Sequence, residues 1–120
     1  MSINRFEDIR AWQYARELTN AIYQISNQKE FAKDFRFRDQ IRSASVSIMA
    51  NIAEGFDSSS DKEFLRFLGF ARRSATEVQS HLYVALDQTY ISQQQFDELF
   101  QMTIAAKNLI SGFMRYLQSK

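Results

Sequence analysis

The only histidine, His81, follows Glu77 by four residues, so on a helix the two lie on one face a turn apart. That pairing invites a metal or an acid/base reading. A di-iron bundle, however, needs two Glu-x-x-His motifs and two further inward carboxylates, and one histidine cannot supply them. His81 therefore reads as a half-exposed helix histidine. The serines are many, but they share a single potential base and sit in no strained strand–turn–helix setting. Gly55, Gly69 and Gly112 are too scattered to cradle a phosphate. The carboxylate pairs Glu7/Asp8 and Asp97/Glu98 fall in first turns, where they favour the helix dipole. No catalytic set can be built, and no metal or cofactor is implied. The expectation is a protein that is not an enzyme.

Two other constellations have spacing worth following. In the run from Ser43 to Phe56, the residues Ala44, Val46, Ile48, Met49, Ala50, Ile52, Ala53 and Phe56 sweep most of a helix, with only small Ser45 interrupting. Ser43, Ser47, Asn51 and Glu54 line the strip that is left. A helix that is apolar nearly all round is buried nearly all round, and in so short a chain this points to a second copy. A buried Glu54 would need a partner, which Arg10, Arg42 or Arg72 could supply in bidentate form. Ser47, Asn51, Glu54 and Arg42 are thus expected to form a structural polar network that fixes helix register, rather than a ligand site.

The second constellation is basic. Lys62, Arg66 and Arg73 fall opposite an apolar stripe, with Arg72 on its flank, while Arg36, Arg38 and Arg42 cluster upstream. Arginine pairs with phosphate through two prongs, so such a stripe could track a nucleic-acid backbone. The plainer reading is a solvated face balanced by Asp61, Glu63 and Glu77. The chain carries 15 basic and 14 acidic residues, a net charge of +1, which gives no general pull toward nucleic acid or lipid. Symmetric assembly would alter that balance, because several copies of a weak stripe make a strong one.

Both constellations require long helices to position them. The chain has no proline and three glycines among 120 residues, so it offers few places to turn. The first helix is expected over about 7–28, started by Asn4 with Glu7 or by Asp8, with Ala11, Tyr14, Ala15, Leu18, Ile22 and Ile25 inward. A charged connection over 28–35 leads to a second helix over 36–57. Asp57-Ser58-Ser59-Ser60 is the clearest turn. Ser60 with Glu63 then opens a third helix that runs to about 89. Its stripe is Phe64, Phe67, Leu68, Ala71, Ala75, Val78, Leu82, Ala85 and Leu86. Ser92 with Gln95 opens the fourth, carrying Phe96, Leu99, Thr103, Ala106, Ile110, Phe113 and Leu117. Short connections make neighbours antiparallel, so residues 1–120 read as one all-α domain, an up-down-up-down four-helix bundle.

With 45% hydrophobic residues and a mean hydropathy of −0.39, the chain reads as globular. The absence of cysteine fits a reducing compartment. Charges near the N-terminus stand where a signal peptide needs its apolar run, and no apolar stretch nears the ~18 residues of a membrane span. A soluble cytoplasmic protein is expected.

Gln40-Ile41-Arg42, Ser45-Val46-Ser47-Ile48 and Asn51-Ile52-Ala53-Glu54-Gly55-Phe56 resemble the signature of a bacterial family, the proteins encoded by intervening sequences in 23S ribosomal RNA genes. Phe6 through Gln13 with Ala15, Asp61-Lys62-Glu63-Phe64 with Arg66-Phe67-Leu68, Thr76-Glu77-Val78 through Leu82, and Tyr90-Ile91 are similar to it as well. The resemblance implies a bundle that assembles into a ring, commonly a homopentamer. It also brings in the accessory proteins of diversity-generating retroelements, which pair with a reverse transcriptase and bind RNA or DNA through basic surfaces. It carries no catalytic residues. Three positions depart from the pattern. Met49 stands where many relatives have proline, Asp57-Ser58-Ser59 replaces a more basic turn, and Arg73 often corresponds to glycine. The resulting expectation is an oligomer that binds nucleic acid or a nucleic-acid enzyme, with a structural or protein-interaction module as the alternative.

Overall fold

The computed structural model describes residues 3–120, and among these every regular element is helical. A 3-10 turn, Phe6–Asp8, precedes α1 (Arg10–Ser26), a short α2 (Lys29–Lys33), α3 (Phe35–Phe56), α4 (Asp61–Asp87) and α5 (Gln93–Gln118). The four long helices close a ring in which α1 touches α3 and α5, and α4 touches the same two. The rod they form measures 46 × 22 × 19 Å. No helix among the described residues is long and apolar enough to cross a membrane.

The caps explain where the helices begin. Asp34 Oδ1 accepts from Phe37 N at 3.3 Å to start α3. Ser60 Oγ accepts from Glu63 N at 3.2 Å to start α4. At α5 the reciprocal box is complete, with Gln95 N donating to Ser92 Oγ and Ser92 N donating to Gln95 Oε1. The expected Asn4–Glu7 box is replaced by Asp8, whose Oδ2 accepts from the backbone N–H of Asn4 and Arg5. Ile9 is extended and buried, so the first helix starts at Arg10 and not at residue 7.

All seven residues expected on the inner stripe of the last helix are buried, as are Ala11, Ala15, Leu18, Ile22 and Ile25 of α1. Tyr14, Phe67 and Leu86 are only partly so. The 28–35 connection, expected to be a charged loop, folds into α2 and sinks Phe31 completely into the core. Phe31 stacks on Phe37 at 5.5 Å and on Tyr90 at 5.3 Å between centroids. Tyr90 closes this end of the bundle by donating to Asp34 Oδ2 at 2.7 Å. That bond to a carboxylate, with burial, holds the phenol above its ordinary pKa of 10.0.

Helix α4 ends in a Schellman motif. Tyr90 N donates to Ala85 O and Thr89 N to Leu86 O, while Thr89 adopts the left-handed φ of 59° where glycine is usual.

Helices α3 and α4 share the most extensive contact in the bundle and come close together at Gly55. A Cβ on Gly55 would lie 2.7 Å from Phe64 Cδ1 and 2.9 Å from Phe67 Cβ, whereas one on Gly69 would meet nothing within 4 Å. The two glycines should therefore respond oppositely to alanine. Gly55→Ala is expected to destabilise the protein by about 1–3 kcal/mol through overpacking. Gly69→Ala is expected to stabilise it by up to about 1 kcal/mol through helix propensity. Urea unfolding of both variants checks this, and a loss at Gly69 as large as at Gly55 would contradict the packing.

Candidate functional site

Along α4, Lys62, Arg66, Phe70 and Arg73 follow at intervals of four, four and three residues, so they form one ridge on the outer face. Phe64, Leu68, Ala71, Ala75 and Val78 fill the core on the opposite side. The three cations are exposed and Phe70 is half-buried. The guanidinium carbon of Arg66 lies 5.3 Å from the Phe70 ring centroid, and that of Arg73 lies 6.0 Å from it. Phe67 meets the same ring edge-on at 6.0 Å.

Carboxylates hold this ridge loosely. Arg66 Nη1 is 3.4 Å from Glu63 Oε2, with side chains 62% and 41% exposed. An ion pair so open to water contributes about 0–1 kcal/mol at most and exchanges readily. Among the described residues, Lys62 and Arg73 form no ion pair, and Glu77 is turned to His81 Nε2 at 3.2 Å. His81 also packs edge-on against Phe37 at 5.6 Å. Arg72 leaves the ridge, because its Nη1 donates to Ser111 Oγ on α5 at 3.2 Å.

The upstream arginines divide. Arg36 is exposed. Arg38 lies over Phe35 and donates to Ala32 O in α2 at 3.2 Å. Arg42 covers the Tyr23 ring at 4.6 Å and donates to Ser26 Oγ at 2.8 Å and to Tyr23 O at 3.4 Å. Both therefore neutralise carbonyl-rich helix ends, where a cation is favoured.

The polar seam of α3 is smaller than its sequence implies. Asn51 Nδ2 donates to Ser47 O at 2.8 Å and to Ser47 Oγ at 3.0 Å, and Ser74 Oγ of α4 donates to Ser47 Oγ at 2.9 Å. Arg42 and Glu54 are not part of it. Twelve residues separate them on one helix, about 18 Å of rise, which no intrahelical side-chain pair spans. Glu54 is exposed, so it needs no buried partner. A second polar contact joins α1 to α3, where buried Thr19 Oγ1 donates to Ala15 O at 2.8 Å and to Ser45 O at 3.1 Å. Phe70, Ser74 and Thr19 have no role in the sequence reading. The clue available for Phe70 was an aromatic placed among arginines on a polar face.

Fold and surface together define the class, an all-α bundle that carries a basic-aromatic ridge on one helix. The chain belongs to the 23S rRNA-intervening sequence protein family, whose sequence profile matches residues 7–112. Its fold is similar to that of a protein of unknown function from the S23 ribosomal protein family of Bacteroides thetaiotaomicron. The TM-score is 0.78 and the identity 22%, over 87% of this chain and 97% of that one. No curated protein matches the sequence.

The seam yields a direct comparison. Ser74→Ala removes a neutral hydrogen bond between α3 and α4 and should cost about 0.5–1.5 kcal/mol. Glu54→Gln changes an exposed side chain that forms no ion pair among the described residues, and it should stay within about 0.5 kcal/mol of the parent. Urea midpoints at one protein concentration measure both, and equal losses would contradict the placement of Glu54.

Proposed function

We propose that this chain is a non-enzymatic bundle that assembles into a ring-shaped homo-oligomer, a homopentamer, and binds nucleic acid through the outer face of α4. The same proposal allows a nucleic-acid enzyme such as a reverse transcriptase as the partner in place of the nucleic acid itself. The observation that carries it is the exposed ridge of Lys62, Arg66 and Arg73. Among the described residues, Arg66 alone has a carboxylate partner there, and that pair is open to solvent. Phosphates can replace such a partner at little cost.

Assembly is supported by α3. Its core face buries Phe37, Ile41, Ala44, Ile48 and Ile52, yet Val46 remains 42% exposed and Met49, Ala50 and Ala53 remain half-exposed. A second copy would cover this strip. It would also multiply a ridge that is weak in one chain of net charge +1. The same strip favours the second reading, a protein-interaction module with no nucleic-acid role.

Light scattering at micromolar concentration is expected to give an oligomer, and a monomer would overturn the assembly. Fluorescence anisotropy with labelled RNA and DNA tests the ridge. Arg66→Glu with Arg73→Glu should abolish or severely weaken binding. Where binding is still measurable, the salt slope should flatten by about 1.4 to 1.8, as two lost phosphate contacts require. Unchanged binding would overturn the ridge. An oligomer whose parent form binds neither RNA nor DNA would establish the interaction module instead.

A further inference from the structure

We propose that the α4 ridge reads single-stranded nucleic acid. Phe70 is the stacking platform for one unpaired base, and Lys62, Arg66 and Arg73 hold the phosphates on either side. This rests on the nucleic-acid reading above and adds to it a class of strand and a residue.

Phe70 is an aromatic ring without a structural task. It belongs neither to the buried core nor to the partly buried side chains packed against that core. It stands on the polar side of α4, half-buried under the guanidinium groups of Arg66 and Arg73. A ring held there loses favourable burial without adding to the core. Its position is nevertheless fixed, because Phe67 abuts it edge-on with the ring planes at 90°. The arrangement is a prepositioned π-face flanked by cations, the pairing by which proteins bind single strands without reading sequence.

The exchange on binding is chemically balanced. Phosphates draw Arg66 away from Glu63 and draw both guanidinium groups off the ring, and the uncovered face receives a base. Stacking of a base offsets the two exposed cation–π contacts given up, and the new guanidinium–phosphate contacts turn the exchange in favour of the bound strand. From Lys62 to Arg73 the helix rises about 16 Å, room for a few nucleotides around one stacked base. A duplex presents phosphates to the same cations but keeps its base faces covered, and exposing one costs unstacking. Three carboxylates of α4 lie near the ridge, and each has a cation of its own: Asp61 is paired with Lys120, Glu63 with Arg66 and Glu77 with His81.

The test is anisotropy with labelled oligo-U and oligo-dT, longer than the ~4–16-nucleotide footprint of one single-strand module, against a duplex of equal length. The parent protein should bind the single strands more tightly than the duplex. Phe70→Leu, which keeps an apolar side chain outside the core, should weaken single-strand binding about ten-fold and leave duplex binding unchanged. Phe70→Tyr should restore it. Equal binding of strand and duplex by the parent overturns the platform without needing any variant, as does an equal loss on both ligands in Phe70→Leu. In those two results phosphate binding by the ridge survives. Absence of binding to any of the three ligands overturns both readings together.

Discussion

The closeness of α3 and α4 is the constraint on which the rest of this bundle depends. Four residues, Asp57 to Ser60, return the chain from one helix to the other, so the pair must be antiparallel and adjacent. Near the turn, the missing Cβ of Gly55 makes room for Phe64 and Phe67. Farther along, two serine hydroxyls meet where longer side chains would hold the helices apart. Once these contacts are made, α4 can turn only one side inward. Its stripe from Phe64 to Ala85 joins the core, and Lys62, Arg66, Phe70 and Arg73 are forced outward together. The candidate site is thus a geometric consequence of the seam.

The same closeness explains which polar groups can sit half-buried between the two helices. Ser47, Asn51 and Ser74 are small and neutral, and they satisfy one another or a carbonyl one turn back. A carboxylate in their place would lose far more hydration than a hydroxyl. Glu54 continues their strip by sequence, but three residues on from Asn51 the helix has carried it round into water. Arg42 has a different task. It ties α3 to the end of α1, where unpaired carbonyls attract a cation.

These details mark how far the sequence could be read. Long helices with a strict 3-4 alternation were legible, and α5 shows why: Ser92 and Gln95 define its start and seven buried residues keep a single phase. Elements of low periodicity were not. Phe31 lies in a five-residue helix among Lys29, Glu30 and Lys33, where composition suggests solvent and only the aromatic stack reveals burial. The turn at Thr89 lacks the glycine that signals a left-handed residue, so its Schellman geometry was hidden. Thr19 was hidden for a related reason. A threonine bonding back to the carbonyl four residues earlier can be buried in a helix although its residue type suggests a surface. For the site, the positions of the cations were legible because they need only a helix phase. Their partners were not, since Ser111, Tyr23 and Glu63 become neighbours through packing or rotamer choice.

Net charge is a poor guide to what such a surface does. The sum of +1 conceals arginines engaged in different work. Arg38 and Arg42 are committed to helix ends and to the aromatic rings they cover, so they contribute to stability. Arg66 and Arg73 rest on a ring outside the core and can leave it without uncovering the interior. A cation bonded to the carbonyls of a helix end gives up those bonds when a phosphate recruits it. One bound to water, an exposed carboxylate or a surface ring gives up none of that kind. Exposed Arg36 meets that criterion at the start of α3, but Lys62, Arg66 and Arg73 stand apart because they line up on one face of α4 around a ring. The apolar strip lies on α3 instead, so burying it against further copies and keeping the ridge in water are compatible demands on one bundle.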